Sequence, residues 1–263
     1  MLGPVQQLTP QQLQTLGERL GAAHGRHVVL YEVRQVGIGA NNGTHFVAIQ
    51  DNGARIGLKA SNRVADGNAK ERLVAKIADV LALPNACPAV EVTAHEIPVL
   101  QGQGVNAIVW LEGSVKLRDL QPVEIVQIRA DPRGYLFQYG QWMALGLLLG
   151  VKDRHTENWV WSSGSGRLSM IDNEDCLQPG VVQDFYPGID LAGERSVLKA
   201  MGRSAEPARS LAAGLELIQD RFCTRRQEFN QVLAGFDFAA GYNSQFMGLT
   251  SAELIDTVFL NLA

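Results

Sequence analysis

The chain has 263 residues, 46% of them hydrophobic and 19% charged, and a formal net charge of -4. This is the composition of a folding globular protein and excludes a disordered one, and the acidic balance leaves no broad electrostatic footprint for nucleic acid. The length suits one large domain or two lobes.

The N-terminal MLGPVQQLTPQQ has neither the basic start nor the apolar stretch of a signal peptide. The best apolar run, WMALGLLLGV, is far short of the roughly 20 residues that a membrane span needs. The expectation is a cytoplasmic site of action, and delivery into another cell by a signal-less route is compatible with the same sequence. Thr9-Pro10-Gln11-Gln12 sets a capping threonine before a proline at the first helical position and a glutamine at the third, which predicts a helix to about Leu20, ended by Gly21. HVVLYEVRQV reads as a strand, GIGANNG as a glycine-rich turn, THFVAIQ as the returning strand, Asp51-Asn52-Gly53 as a second turn and ARIGLKA as a third strand. From Asn68 onward the sequence has helical periodicity, with Leu73, Ile77, Val80 and Leu81 on one side, and it stops before Pro84.

Two more strands are expected within IPVLQGQGVNAIVWLEGSV, followed by a polar segment. Asp131-Pro132 then opens GYLFQYGQWMALGLLLG, too long and apolar for a usual strand and so a buried helix. After GVKDRHTEN, the segments WVWSS and RLSMID form a hairpin about a Gly164-Ser165-Gly166 turn. Helices are expected from about Arg195 onward, the last one capped by Thr250 with Glu253 three positions on. The three cysteines, Cys87, Cys176 and Cys223, form no C-x-x-C pair and suggest neither a disulfide framework nor a zinc site.

Three constellations carry chemistry. Gly37, Gly39 and Gly43 are followed by a strand and not by a helix, which disfavours a dinucleotide-binding loop and leaves either a plain turn or a hairpin that covers phosphates. Lys59 ends the strand after that hairpin and Glu71 stands on the next helix, the order in which kinases grip nucleotide phosphates. Taken alone the two residues read as solvated, and Asp66 and Asp79 are alternatives to Glu71. In the third, the carboxylate of Asp172 and the amide of Asn158 supply the oxygen ligands that magnesium-bound ATP requires. Asp153 and His155 lie on the same short loop as Asn158, where a carboxylate or imidazole would align an attacking hydroxyl. The plain structural alternative makes Asp153 and Arg154 a surface ion pair and His155 a core histidine.

LGVKDRHTENWVW followed by IDNE resembles the catalytic and metal-binding loops of the phosphatidylinositol 3- and 4-kinase-related atypical kinases, with their G-x-x-D-R-H-x-x-N pattern. HipA-like kinases and the actin-fragmin kinase are more distant likenesses. The match is close over Leu149–Asn158 and at Asp172; elsewhere it holds in the order and type of elements. The resemblance implies an α+β, bilobal protein-kinase-like fold, with a β-rich N-lobe over residues 1–113 and a mostly helical C-lobe over 114–263. It implies ATP and Mg2+ as cofactors, Asp153 as the residue that orients or deprotonates the acceptor, and His155 as a second group near the transferred phosphoryl. Asn158 and Asp172 become metal ligands, Lys59 the phosphate-binding lysine, and Trp110-Leu111-Glu112-Gly113 a hinge whose backbone holds adenine. Asp172-Asn173-Glu174 replaces the usual D-F-G, so Glu174 is either a further metal ligand or a polar neighbour, and the phenylalanine switch is missing.

The segment DCLQPGVVQDFYPGID has aspartates and no lysine or arginine, which argues against an inositol lipid already carrying phosphates. The expected activity is a compact Ser/Thr protein kinase. A lipid or small-molecule kinase, a nucleotide-binding pseudokinase and an AMP transferase are the alternatives.

Overall fold

A computed structural model describes residues 2–36, 44–60, 66–83, 90–93, 104–109, 114–151, 156–177, 206–240 and 242. The chain divides into two compact units, Met1–Ala75 with Cys87–Leu111, and Lys76–Ala86 with Glu112–Ala263.

The first unit is built on a six-stranded sheet in the order β1-β2-β3-β4-β6-β5, every neighbouring pair antiparallel. The strands are β1 (Leu2–Val5), β2 (Leu30–Val36), β3 (Thr44–Gln50), β4 (Arg55–Ala60), β5 (Val90–Thr93) and β6 (Gly104–Val109). Successive side chains of a strand point to opposite faces, so each face collects its own set of residues. Leu30, Val33, Phe46, Ala48, Ile56, Leu58 and Ala107 come together with Leu16 and Leu20 of helix α1 (Pro10–His24) in one apolar cluster.

Helix α1 starts as the sequence predicts: the Thr9 hydroxyl accepts from the Gln12 amide at 3.2 Å, and the Gln12 side chain accepts from the Thr9 amide at 2.8 Å. It does not end at Gly21. A Cβ there would lie 2.7 Å from the Arg26 carbonyl oxygen, so this glycine serves a close approach inside the helix, and Gly25, at φ 62°, makes the stop. Strands β1 and β5 are also absent from the sequence reading. Each is four residues long, below the length at which an alternating pattern separates from background. Of the segment Ile97–Val115 in which two strands are expected, the described residues hold β6 and the start of β7 (Ser114–Lys116), which belongs to a different sheet; residues 97–103 and 110–113 lie outside the described residues.

Helix α2 (Gly67–Val80) begins in the first unit and ends in the second. Within the second unit, the guanidinium of Arg221 donates to the Leu81 and Ala82 carbonyl oxygens, each at 2.9 Å, and Arg225 donates to that of Val80. These carbonyls follow or close the last turn of α2, where intrahelical donors run out and cations are favoured.

The second unit holds α3 (Pro122–Ala130), α4 (Pro132–Leu148), α5 (Glu206–Thr224), α6 (Arg226–Ala234) and a three-stranded sheet in the order β7-β8-β9, with β8 at Trp159–Ser162 and β9 at Arg167–Met170. Helix α3 lies in the segment read from sequence only as polar; its exposed face obscures the few positions it buries, Glu124 and Ile128. Helix α4 is the buried helix that the apolar run predicts, with every residue from Tyr139 to Leu148 enclosed. It crosses α5 at backbone contact: a Cβ on Gly140 would fall on the Leu211 carbonyl oxygen, and one on Gly214 on that of Phe137. Toward the sheet, Trp142 Nε1 donates to the Leu168 carbonyl at 2.8 Å, and Tyr139 meets Trp159 with ring centroids 4.9 Å apart. The helices expected downstream of Arg195 are described from Glu206; the Thr250 cap lies outside the described residues.

Candidate active site

One group of candidate residues comes from β4 and α2. Strand alternation sends Ile56 and Leu58 into the apolar cluster under α1, which leaves Lys59 for the opposite face. There its Nζ lies 2.6 Å from Glu71 Oε1, with side chains only 8% and 10% exposed. Asp66 and Asp79, the alternatives from sequence, are both exposed. An ammonium and a carboxylate taken out of water together must compensate each other, so the pair is a fixed structural unit and not a pair of solvated charges.

A third residue, absent from the sequence reading, joins this arrangement. Asn106 on β6 is the register partner of Lys59 and is fully buried. Its Nδ2 donates to the Asn68 carbonyl oxygen at 2.8 Å, and its Oδ1 accepts from Arg72 Nη1 at 3.1 Å. The signal available in the sequence was a lone amide in the otherwise apolar strand GVNAIV.

A separate group of candidate residues lies in the other unit. Trp159 pairs with Met170 at the end of the β8–β9 hairpin, and one step further the Ile171 amide donates to the Asn158 carbonyl oxygen at 2.8 Å. Asn158 and Asp172 are therefore carried to the same end of one hairpin. Asn158 is buried, and Asp172 adopts φ 60°, a left-handed conformation uncommon for a residue with a Cβ. Such strain is held only where the surroundings over-determine it. Asn173 and Glu174 are buried just beyond.

The loop is closed at its far end by the Leu177 amide, which donates to the Leu149 carbonyl oxygen at 2.7 Å. Leu149 caps α4, so the segment that follows β9 is fixed to the C-terminal end of that buried helix. Tyr242 adds to the same anchor by donating its hydroxyl to the Leu148 carbonyl at 3.1 Å. Burial, and then the neighbouring Cys176, push the phenol's pKa well above its ordinary value. Arg118 pairs with Glu157 in the short turn that precedes β8.

Lys59, Glu71, Asn158, Asp172 and Glu174 are thus described. Gly37, Gly39, Gly43, Glu112, Asp153, Arg154 and His155 lie outside the described residues. Among the described residues no three or more His, Cys, Asp or Glu side chains cluster as a metal site, so Asn158 and Asp172 are a sparse oxygen set. That set fits magnesium, which keeps several waters and takes one or two carboxylates together with substrate phosphates. No described helix is long and apolar enough to cross a membrane.

No protein-family model and no curated protein matches this sequence. Among solved structures, the proinflammatory kinase CtkA of Helicobacter pylori matches with a TM-score of 0.50 at 16% identity, over 86% of this chain and 94% of that one. The fold is protein-kinase-like. Lower likenesses are to the FAT and kinase domain of CtTel1, at a TM-score of 0.47 and 13% identity over 89% of this chain and 21% of that one, and to a spectinomycin phosphotransferase in complex with ADP and spectinomycin, at 0.41 and 11% over 94% and 93%. At such identities the likeness concerns the fold alone.

Proposed function

We propose that this chain is an ATP- and magnesium-dependent phosphotransferase, an atypical kinase that transfers the γ-phosphoryl group of ATP to a serine or threonine hydroxyl of a protein. The buried Lys59–Glu71 pair, bonded at 2.6 Å from strand to helix, carries this reading. In kinases that pair places the lysine ammonium on the nucleotide phosphates. The kinase-like fold supports it, as does the delivery of Asn158 and Asp172 to one hairpin end.

In this reading Lys59 neutralises phosphate charge and Glu71 keeps its ammonium in place. Asn158 and Asp172 would hold magnesium, which supplies charge neutralisation at the phosphates. Asp153 accepts the proton of the acceptor hydroxyl while that oxygen bonds to the γ-phosphorus, and the bond from the γ-phosphorus to the β–γ bridging oxygen breaks to leave ADP. Glu174 would be a further ligand of the same ion. The segment after Glu174, rich in aspartate and free of lysine and arginine, favours a protein over a phosphorylated lipid as acceptor.

The test uses ATP labelled separately at the α and γ positions, with magnesium and with protein and lipid extracts as acceptors, alongside Asp172→Ala. Label from the γ position on a protein band, lost in the variant, is the expected result. Transfer of γ label to the lipid phase would make it a lipid kinase, and transfer of α label a nucleotide transferase. Nucleotide binding without transfer to any acceptor would overturn the assignment as an enzyme.

A further inference from the structure

We propose that Asn106 is a positioning residue for the nucleotide grip: one buried amide that fixes both the rotation and the axial position of α2 against the sheet, and through it the meeting of Glu71 with Lys59. This rests on the reading of Lys59 and Glu71 given above.

The geometry is specific. Asn106 and Lys59 are directly opposite in the β4–β6 ladder, so their side chains leave the same face of the sheet side by side. On α2, the two groups that Asn106 binds, the Asn68 carbonyl and the Arg72 guanidinium, bracket Glu71 within little more than one helical turn. The amide uses opposite polarities for the two bonds. Its Nδ2 must find a carbonyl and its Oδ1 must find a donor, and the observed placement of the helix offers both.

Advancing α2 by one residue moves it about 1.5 Å along its axis and turns it by about 100°, which breaks both bonds and swings Glu71 off the sheet. A buried amide with unmet donors and acceptors is costly, so displaced placements are disfavoured even where apolar packing would tolerate them. Strand β6 is otherwise apolar around this position, with Ala107 buried in the core on the opposite face. Asn106 therefore trades apolar burial for register, as a single buried amide does in paired helices. Because neither of its bonds involves Glu71 or Lys59, the brace stays in place while Lys59 engages a ligand.

The experiment measures the dissociation constant of a fluorescent ATP analogue for the full chain carrying Asn106→Leu, Arg72→Met, Lys59→Met or Glu71→Gln, and for Asn106→Leu combined with Glu71→Gln. Each is measured at a temperature where urea titration shows it fully folded. Asn106→Leu should weaken nucleotide binding by about tenfold, the weight of a hydrogen bond or two, and Arg72→Met by a smaller factor in the same direction. In the Glu71→Gln background Asn106→Leu should cause less than about a twofold further change, because the residue it positions is already gone. A purely structural amide would give the same loss in both backgrounds, and that result overturns the proposal, as does wild-type affinity in both Asn106→Leu and Arg72→Met. Should Asn106→Leu fail to fold, the half-buried Arg72 carries the same comparison through Arg72→Met with and without Glu71→Gln. Unchanged affinity in Lys59→Met, or no nucleotide binding by the wild-type chain, would instead overturn the grip itself and the inference with it.

Discussion

Removing one member of the Lys59–Glu71 pair and then both separates what the pair does for folding from what it does for ligand binding. The two side chains are 2.6 Å apart and about nine-tenths buried. Glu71→Leu takes the 2.6 Å carboxylate from a buried ammonium and Lys59→Met takes the ammonium from a buried carboxylate, so each single change should cost up to roughly 3–5 kcal/mol. The double variant Lys59→Met/Glu71→Leu removes both charges of the pair at comparable volume, and should recover most of that loss, since apolar replacements of buried pairs are often neutral. Nucleotide binding should not recover, because the ammonium is gone. Urea unfolding followed by circular dichroism gives the stabilities, and titration with a fluorescent nucleotide gives the affinity. Single-variant losses below about 1 kcal/mol, the range of an exposed ion pair, would refute the buried-pair argument. A double variant that binds nucleotide like the wild type would remove Lys59 from the phosphate site.

Asp153→Ala should lower turnover by roughly 10²–10⁴-fold while leaving the unfolding midpoint in place, as for a positioned acid or base, and a steady-state assay of phosphate transfer checks it. Gly140→Ala should destabilise the chain by about 1–3 kcal/mol, because the new methyl falls on the Leu211 carbonyl where α4 and α5 touch. Gly164→Ala, with nothing within 4 Å, should stay within about 0.5 kcal/mol in the same urea titration. Tyr242 is harder to ionise folded than unfolded, so its contribution is complete below the unfolded pKa of about 10 and is lost as pH rises through the higher folded value. Tyr242→Phe should therefore lose less stability than the wild type between about pH 9 and pH 11, and equal losses would refute that account.

The elements that local pattern specifies were legible in the sequence. Strand β3 coincides with THFVAIQ, the β8–β9 hairpin brackets its glycine turn, and α4 fills the apolar run that no strand could use. The order of lysine strand and acidic helix was legible as well, because it is an order along the chain. What sequence left open concerns rotation and approach. Asp66, Glu71 and Asp79 all lie in or beside one helix, and only the packing of that helix decides that Glu71 faces Lys59 while the others meet water. Gly21 reads as a stop until the Arg26 carbonyl lies against it. Asn106 reads as an interruption of a strand until α2 brings a carbonyl and a guanidinium to its two ends. Periodicity is a property of neighbours in the chain, so it fixes which residues form an element. The face an element presents, and the partner a buried polar group finds, are set by segments distant in sequence, and these only the tertiary structure decided.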